Sequence, residues 1–186
     1  HKDKPLAFFV MGGIKDQLLS NDKRSLVNLN FIQTLTNIIV VAIENKRLAK
    51  ESIQQESVKK ELEIASEMQK LLFPEELPNN EKLDISAKYL SHSEVSGDYY
   101  DYIRLNEDEF IICIADVSGK GIAAAMLMAN FQATVRTLYT YKRFDLEEMV
   151  HELNAKFFKS AQGEKFVTFF IAEYNSKTRK LKYVNA

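Results

Sequence analysis

The sequence predicts an α+β chain in which one very long helix precedes a strand-rich half that holds two further helices. Three observations carry that expectation. After Gly12 and Gly13 there is neither glycine nor proline until Pro74, so residues 14 to 73 hold no helix breaker. Beyond Pro74, alternating and aromatic-rich runs bounded by turn residues read as strands. Between those strands, two stretches return to helical spacing.

The 186 residues carry 25 Lys plus Arg against 26 Asp plus Glu and are 46% hydrophobic. That is a globular composition for one or two small domains, and it excludes a disordered tail, a disulfide scaffold and a strongly basic nucleic-acid binder. Apolar runs such as Ile38 to Ile43 and Ile122 to Ala129 are far shorter than the roughly 20 residues a membrane-spanning helix needs. No membrane span is expected. The single Cys113 lies in the apolar run Phe110 to Ala115, where a thiol behaves as a small hydrophobe without a disulfide partner. A reducing, cytoplasmic compartment follows. His1 to Pro5 offers neither an initiator Met nor a signal-peptide core, so the chain is expected to begin mid-protein.

Along the chain, Leu6 to Met11 reads as a buried strand, followed by the Gly12-Gly13 turn and a polar connection through Ser20 to Asp22. From Leu26 the apolar residues Leu29, Ile32, Leu35, Ile39, Ala42 and Ile43 recur at spacings of three and four. Five acids and five bases then dominate Glu44 to Glu63. The apolar spacing resumes at Val58, Leu62, Ala65, Gln69 and Leu72, the pattern of a coiled-coil seam with one polar member. A helix from Leu26 to Leu72 spans roughly 70 Å, more than one chain can bury, so a parallel homodimer is expected. An isolated charged surface helix is the alternative. Phe73-Pro74 ends the helix.

In the second half, Leu83 to Leu90 alternates as a half-buried strand, and Tyr99 to Leu105 pairs through the turn Asn106 to Asp108 with Phe110 to Ala115. Gly121 to Tyr139 is helical, with Met126, Met128, Ala129, Ala133 and Val135 as its apolar positions. Asp145 to Glu148 resembles a capping box that opens a second helix. Lys165 to Tyr174 and Leu181 to Val184 are strands joined by Asn175 to Thr178.

Two groups of carboxylates fall at the ends of the central hairpin: Ser96-Gly-Asp-Tyr-Tyr-Asp101 before one strand and Asp116-Val-Ser-Gly-Lys-Gly121 after its partner. The hairpin brings Asp98 and Asp116 together. An acid at a strand end, followed by glycines that allow a tight turn, presents oxygen ligands to a hard cation such as Mg²⁺ or Mn²⁺. Asp116 equally suits a turn initiator or a helix cap.

The order Glu63-Ile-Ala-Ser-Glu-Met-Gln-Lys-Leu-Leu-Phe-Pro74, Ser96 to Asp101, Ala115-Asp-Val-Ser-Gly-Lys-Gly121, Phe166-Val-Thr-Phe169 and Tyr183-Val-Asn-Ala186 resembles the SpoIIE/RsbU-like branch of the metal-dependent (PPM-type) protein serine/threonine phosphatases. The resemblance implies an α-β-β-α sandwich of two antiparallel sheets with a binuclear Mn²⁺ or Mg²⁺ centre at one edge. It makes Asp116 the carboxylate that bridges both metals, Asp98 the acid on the second metal alone, and the Val117 carbonyl a backbone ligand. A water made acidic by the two cations then attacks phosphorus in line. Asp101 reads as structural, Ser118 has a weaker claim, and Lys120 is a loop cation available to attract phosphate. Where the family has paired glycines before the first acid, this chain has Ser96-Gly97. The family's other metal acids follow the segment where this chain stops, so the 186 residues alone are expected to be nearly inactive.

Leu6 to Lys46 resembles the end of a GAF sensor domain, through Phe31-Ile-Gln-Thr-Leu-Thr36 and Ala42-Ile-Glu-Asn-Lys-Arg-Leu48. The implied organisation is a GAF-like remnant over residues 1–45, a coiled-coil linker over 46–73 and an incomplete phosphatase domain over 74–186. Its implied partners are a phosphorylated substrate, in particular an anti-sigma-factor antagonist in a partner-switching circuit, and an activating protein or small ligand at the sensor. A non-catalytic dimeric scaffold that binds a phosphoprotein is the competing reading.

Other motifs fall away. Ser118-Gly-Lys-Gly121 lacks the hydroxyl residue and first glycine of a phosphate loop. His151-Glu-Leu-Asn154 lacks the proline of a phospho-acceptor helix and reads as a surface histidine. His92 has no ligand-spaced neighbours and no Cys pair, and Met126 with Met128 reads as core. The seam carries a prediction: Val58→Pro lowers the sedimenting mass by breaking the dimer, and an unchanged mass removes the coiled coil.

Overall fold

A computed structural model describes residues 23–81, 83–91, 94–141 and 145–186. The expected strand Leu6 to Met11, the Gly12-Gly13 turn, the Ser20 to Asp22 connection and His92 lie outside the described residues. The chain divides into two compact units between Lys59 and Lys60.

Helix α1 (Lys23–Lys70) fills the breaker-free span. In the first unit Phe31, Ile38, Ile39, Val41, Ile43 and Ile53 all stand exposed along it. The helix closes two residues before the expected Leu72. Leu71, Leu72 and Phe73 donate to carbonyls three residues back, at 3.2, 3.0 and 3.3 Å, so the last turn tightens before Pro74 forbids continuation.

The end of α1 corrects the expected seam. Gln69 is buried, with its carboxamide bonded to Ser96 and Tyr89 of its own unit. Leu72 packs against the core of that unit. These last positions are therefore occupied within one chain. A polar residue at seam spacing has here been placed by hydrogen bonding.

A small antiparallel pair follows, β1 (Asn79–Asn80) and β2 (Leu83–Asp84). The strand expected over Leu83 to Leu90 is thus only two residues long. After it, Ile85 donates to the Pro78 carbonyl at 2.9 Å, and Tyr89 packs on Phe73 with ring centroids 4.5 Å apart. The alternation recorded which side chains pack, and no ladder was needed to satisfy it.

The main sheet is an antiparallel meander in the order β3 (Asp98–Arg104), β4 (Glu109–Val117), β5 (Val167–Asn175), β6 (Lys180–Asn185). Among the described residues this is one of the two large sheets the resemblance implies. The β3–β4 turn is set by Asn106, whose side-chain oxygen accepts from the Asp108 and Glu109 amides at 2.9 Å each. Asn175 does the same for Thr178 at 2.8 Å in the β5–β6 turn.

Helices α2 (Gly121–Tyr141) and α3 (Leu146–Ser160) join the core formed with the face that carries Tyr99, Ile111, Cys113, Ala115, Val117, Phe169 and Ile171. The face of α2 that is buried runs through Ala124, Met128, Phe131 and Val135, steps of four, three and four. Met126, expected in the core beside Met128, is 70% exposed. Two residues along a helix point to nearly opposite sides, so both cannot be core. Phe131 is the aromatic hub, edge-on to Tyr99, Phe157 and Phe169 at 6.3, 5.9 and 5.0 Å. Asp145 does begin α3 in an extended conformation, but its side chain makes no cap bond, so the capping box is not formed. Cys113 is buried, with its thiol pushed up to about 12 by burial and by the Asp101 charge. His151 is exposed on α3.

One ionic contact ties α2 to the sheet. The Asp101 carboxylate has no exposed surface and accepts from Arg136 Nε at 2.7 Å and Nη2 at 2.9 Å. It also accepts from the Tyr99 hydroxyl at 2.7 Å and the Tyr102 amide at 2.9 Å. Asp101 is structural, as expected. Removing one partner of such a pair strands a buried charge. Arg136→Ala should therefore destabilise the 60–186 unit by about 2–3 kcal/mol, discounted from a fully buried pair because the guanidinium is half exposed. A lower urea midpoint at constant m is the expected result, and an unchanged midpoint contradicts it.

Candidate metal centre

Strand alternation divides the hairpin between two tasks. Tyr99 and Asp101 point into the helix-covered core, so Asp98 and Tyr100 must point to the other face. The register sets Asp98 opposite Asp116, and Asp116 opposite Thr168. Directly opposed residues have Cβ atoms roughly 4.5–5.5 Å apart, and like charges in that position repel. The Asp116 carboxyl is held above the usual carboxylate range. Partial desolvation is the larger cause and the Asp98 charge the second. Two carboxylates pressed together in this way are relieved by a proton or a cation.

The backbone around them is closely fitted. A Cβ on Gly97 would stand 2.7 Å from the Val117 carbonyl oxygen, and the Val117 amide donates back to the Gly97 carbonyl at 3.2 Å. Only glycine fits there, and Gly97 packs directly on the oxygen of Val117, a residue with no exposed surface. Ser96 bonds Asp98 through its hydroxyl.

After Val117 the chain turns into α2 through Gly119 (φ 104°) and Gly121 (φ 71°), conformations that favour glycine. Ser118 latches this turn to the start of β5: its amide donates to the Phe166 carbonyl at 2.8 Å, and its hydroxyl accepts from the Phe166 amide at 3.0 Å. That gives Ser118 a structural role. The Lys165 ammonium lies 3.0 Å from where a Gly119 Cβ would stand, a cation at the turn that sequence reasoning passed over. Lys120 is exposed. An open cavity of about 560 Å³ adjoins the acids and includes Lys88, Thr168 and Asn185 in its wall.

The donor set is two carboxylates and one carbonyl, all hard oxygen ligands that fit Mg²⁺ or Mn²⁺ in kind. Among the described residues no group of three His, Cys, Asp or Glu side chains converges on a metal site. The structure therefore brings Asp98, Asp116 and Val117 together, and Asp101 turns away from them into the core.

Comparison with known proteins gives three findings. Residues 106–186 match the family Stage II sporulation protein E (SpoIIE). The chain is 34% identical over 134 residues to the phosphoserine phosphatase RsbU of Bacillus subtilis, covering 72% of this chain and 39% of RsbU. It is 28% identical over 133 residues to the phosphoserine phosphatase RsbP of the same organism, covering 70% and 33%. The chain thus spans between a third and two fifths of these relatives' length. Among solved structures, the RsbU and RsbW domains of a Mycobacterium tuberculosis protein overlap with a TM-score of 0.45 at 21% identity, covering 52% of this chain and 27% of that one.

The raised Asp116 carboxyl carries a stability consequence. An acid bound more tightly to its proton in the fold than in the unfolded chain costs stability once it ionises, and the cost grows as pH rises through its folded pKa. With chelator present at neutral pH, Asp116→Asn should raise Tm by about 1–3 °C. The gain should vanish once the pH falls below the ordinary aspartate range near roughly 3.9. A Tm equal to or below that of the parent at neutral pH contradicts the repulsion.

Proposed function

Residues 106–186 belong to the SpoIIE family, and on that premise we propose that the protein containing this chain is a metal-dependent phosphatase acting on phosphoserine or phosphothreonine of a signalling protein. The observation that carries the reading is the in-register pair Asp98 and Asp116 on the sheet face opposite α2 and α3. On the family resemblance, Asp116 and Asp98 would hold the cations, with Asp116 the carboxylate common to both, and the Val117 carbonyl would be the neutral ligand. When bound, Mn²⁺ or Mg²⁺ acidifies water and neutralises charge on the phosphoryl oxygens. The chain's own contribution is to hold the two carboxylates fixed on a hydrogen-bonded hairpin, with Gly97 letting the backbone pack closely against Val117 and Lys165 and Lys120 placing positive charge at the adjoining turn.

With so few protein oxygen donors, water would complete the shells of such cations. The relatives RsbU and RsbP are phosphoserine phosphatases by name, which supports a phosphoserine as the group hydrolysed; the family resemblance is what points to a small antagonist protein as its carrier. The exposed Leu48, Ile53 and Val58 of α1 support the linker as the contact of a homodimer, and the resemblance of the segment before it supports a GAF-like sensor as its input.

The test is hydrolysis of a phosphoserine protein by the complete protein, with Mn²⁺ and with chelator. Turnover should require the metal, and Asp98→Asn or Asp116→Asn should each lower kcat at least about 100-fold, as expected for removal of a ligand that builds the reacting centre. Turnover that persists in chelator or survives both substitutions would overturn the assignment.

A further inference from the structure

Asp98 is held by more than its place in the strand. The Ser96 hydroxyl accepts from the Asp98 amide at 3.1 Å and lies 3.1 Å from the Asp98 Oδ2. A serine hydroxyl has a single proton to donate. With its oxygen fixed by the backbone amide, that proton is aimed at the carboxylate. One carboxylate oxygen is thus engaged from the Ser96 side, and the remaining lone pairs are left to face Asp116.

Ser96 is itself gripped from outside the hairpin. Gln69, buried at the end of α1, donates from Nε2 to the Ser96 carbonyl at 2.7 Å and accepts at Oε1 from the Ser96 amide at 3.1 Å. The Tyr89 hydroxyl donates to the same Oε1 at 3.3 Å. A carboxamide that bonds both the N–H and the C=O of one residue fixes that residue's position and backbone orientation. On the other side Gly97 is pressed against the Val117 carbonyl with no room for a Cβ. The segment from Ser96 to Asp98 therefore has little freedom left.

We infer that Ser96 is a positioning residue for Asp98: its hydroxyl sets the direction of the carboxylate, and Gln69 at the end of α1 holds the peptide that carries it. The inference rests on the metal reading of Asp98 given above, and it concerns a position where a glycine could make neither hydroxyl bond. Partners that orient a ligating carboxylate typically change metal affinity by about 10–100-fold. Ser96 is only part-buried, which places its effect at the lower end.

The experiment is a Mn²⁺ titration of the complete protein, with free Mn²⁺ followed by its electron paramagnetic resonance signal. The variants are Ser96→Ala, Ser96→Thr, Gln69→Ala and Asp98→Asn, each paired with a thermal melt. Asp98→Asn should abolish binding at this site. Ser96→Ala should weaken it about 5–10-fold at unchanged Tm, Ser96→Thr should restore it because the hydroxyl returns, and Gln69→Ala should shift it in the same direction as Ser96→Ala. If Ser96→Ala binds Mn²⁺ as tightly as the parent, or more tightly, while Asp98→Asn loses it, the metal reading stands and the positioning role is wrong. If Asp98→Asn binds Mn²⁺ normally, both fall.

Discussion

The register between β3 and β4 is the constraint on which everything else hangs. It places Asp98 directly opposite Asp116, and a slip of one residue would send every side chain of a strand to the wrong face of the sheet. Tyr99 would leave the aromatic hub, Asp101 would lose its core partners, and Asp98 would no longer face Asp116. The same pairing that builds the core therefore builds the acid pair. Fold and chemistry share one set of backbone hydrogen bonds.

That coupling lets a repulsive arrangement persist. Two carboxylates facing each other across a ladder weaken the fold locally, and the cost must be offset elsewhere. The offset lies one residue away on each strand: Tyr99 and Ala115 join the core, and Asp101 binds Arg136 of α2. A strand with one aspartate in a buried ion pair and another opposed by a like charge separates structural from chemical carboxylates by parity alone. Gly97 and the glycines of the following turn complete the division, since their missing side chains let the Asp98 strand pack closely against Val117 and let β4 pass directly into α2.

Much of this was legible in the sequence. The absence of glycine and proline over residues 14 to 73 located α1, and the Asn106 to Asp108 and Asn175 to Thr178 turns located both hairpins, because these signals are local. The acid pair was legible too, because strand ends on either side of a short turn must meet. What failed was helical phase in one case and non-local partnering in the others. Met126 has the hydrophobicity of a core residue but the wrong helical phase relative to Met128. Gln69 sits at seam spacing, yet its partner, Ser96, is 27 residues away in the chain. Arg136 gave no signal that it answers Asp101 from 35 residues away. Ser96 was visible as a departure from paired glycines, but its bonds to Asp98 depend on a backbone conformation that no residue pattern encodes.

The central claim is that a divalent cation is received between Asp98, Asp116 and the Val117 carbonyl. Paramagnetic broadening tests it most directly: Mn²⁺ is titrated into the ¹⁵N-labelled protein and the amide signals are followed residue by residue. Early loss of the amides of residues 96–98 and 116–119, with the far ends of β3 and β4 near Asn106 left sharp, is the predicted result. Broadening centred on another part of the surface, or spread evenly over the acidic residues, would contradict it.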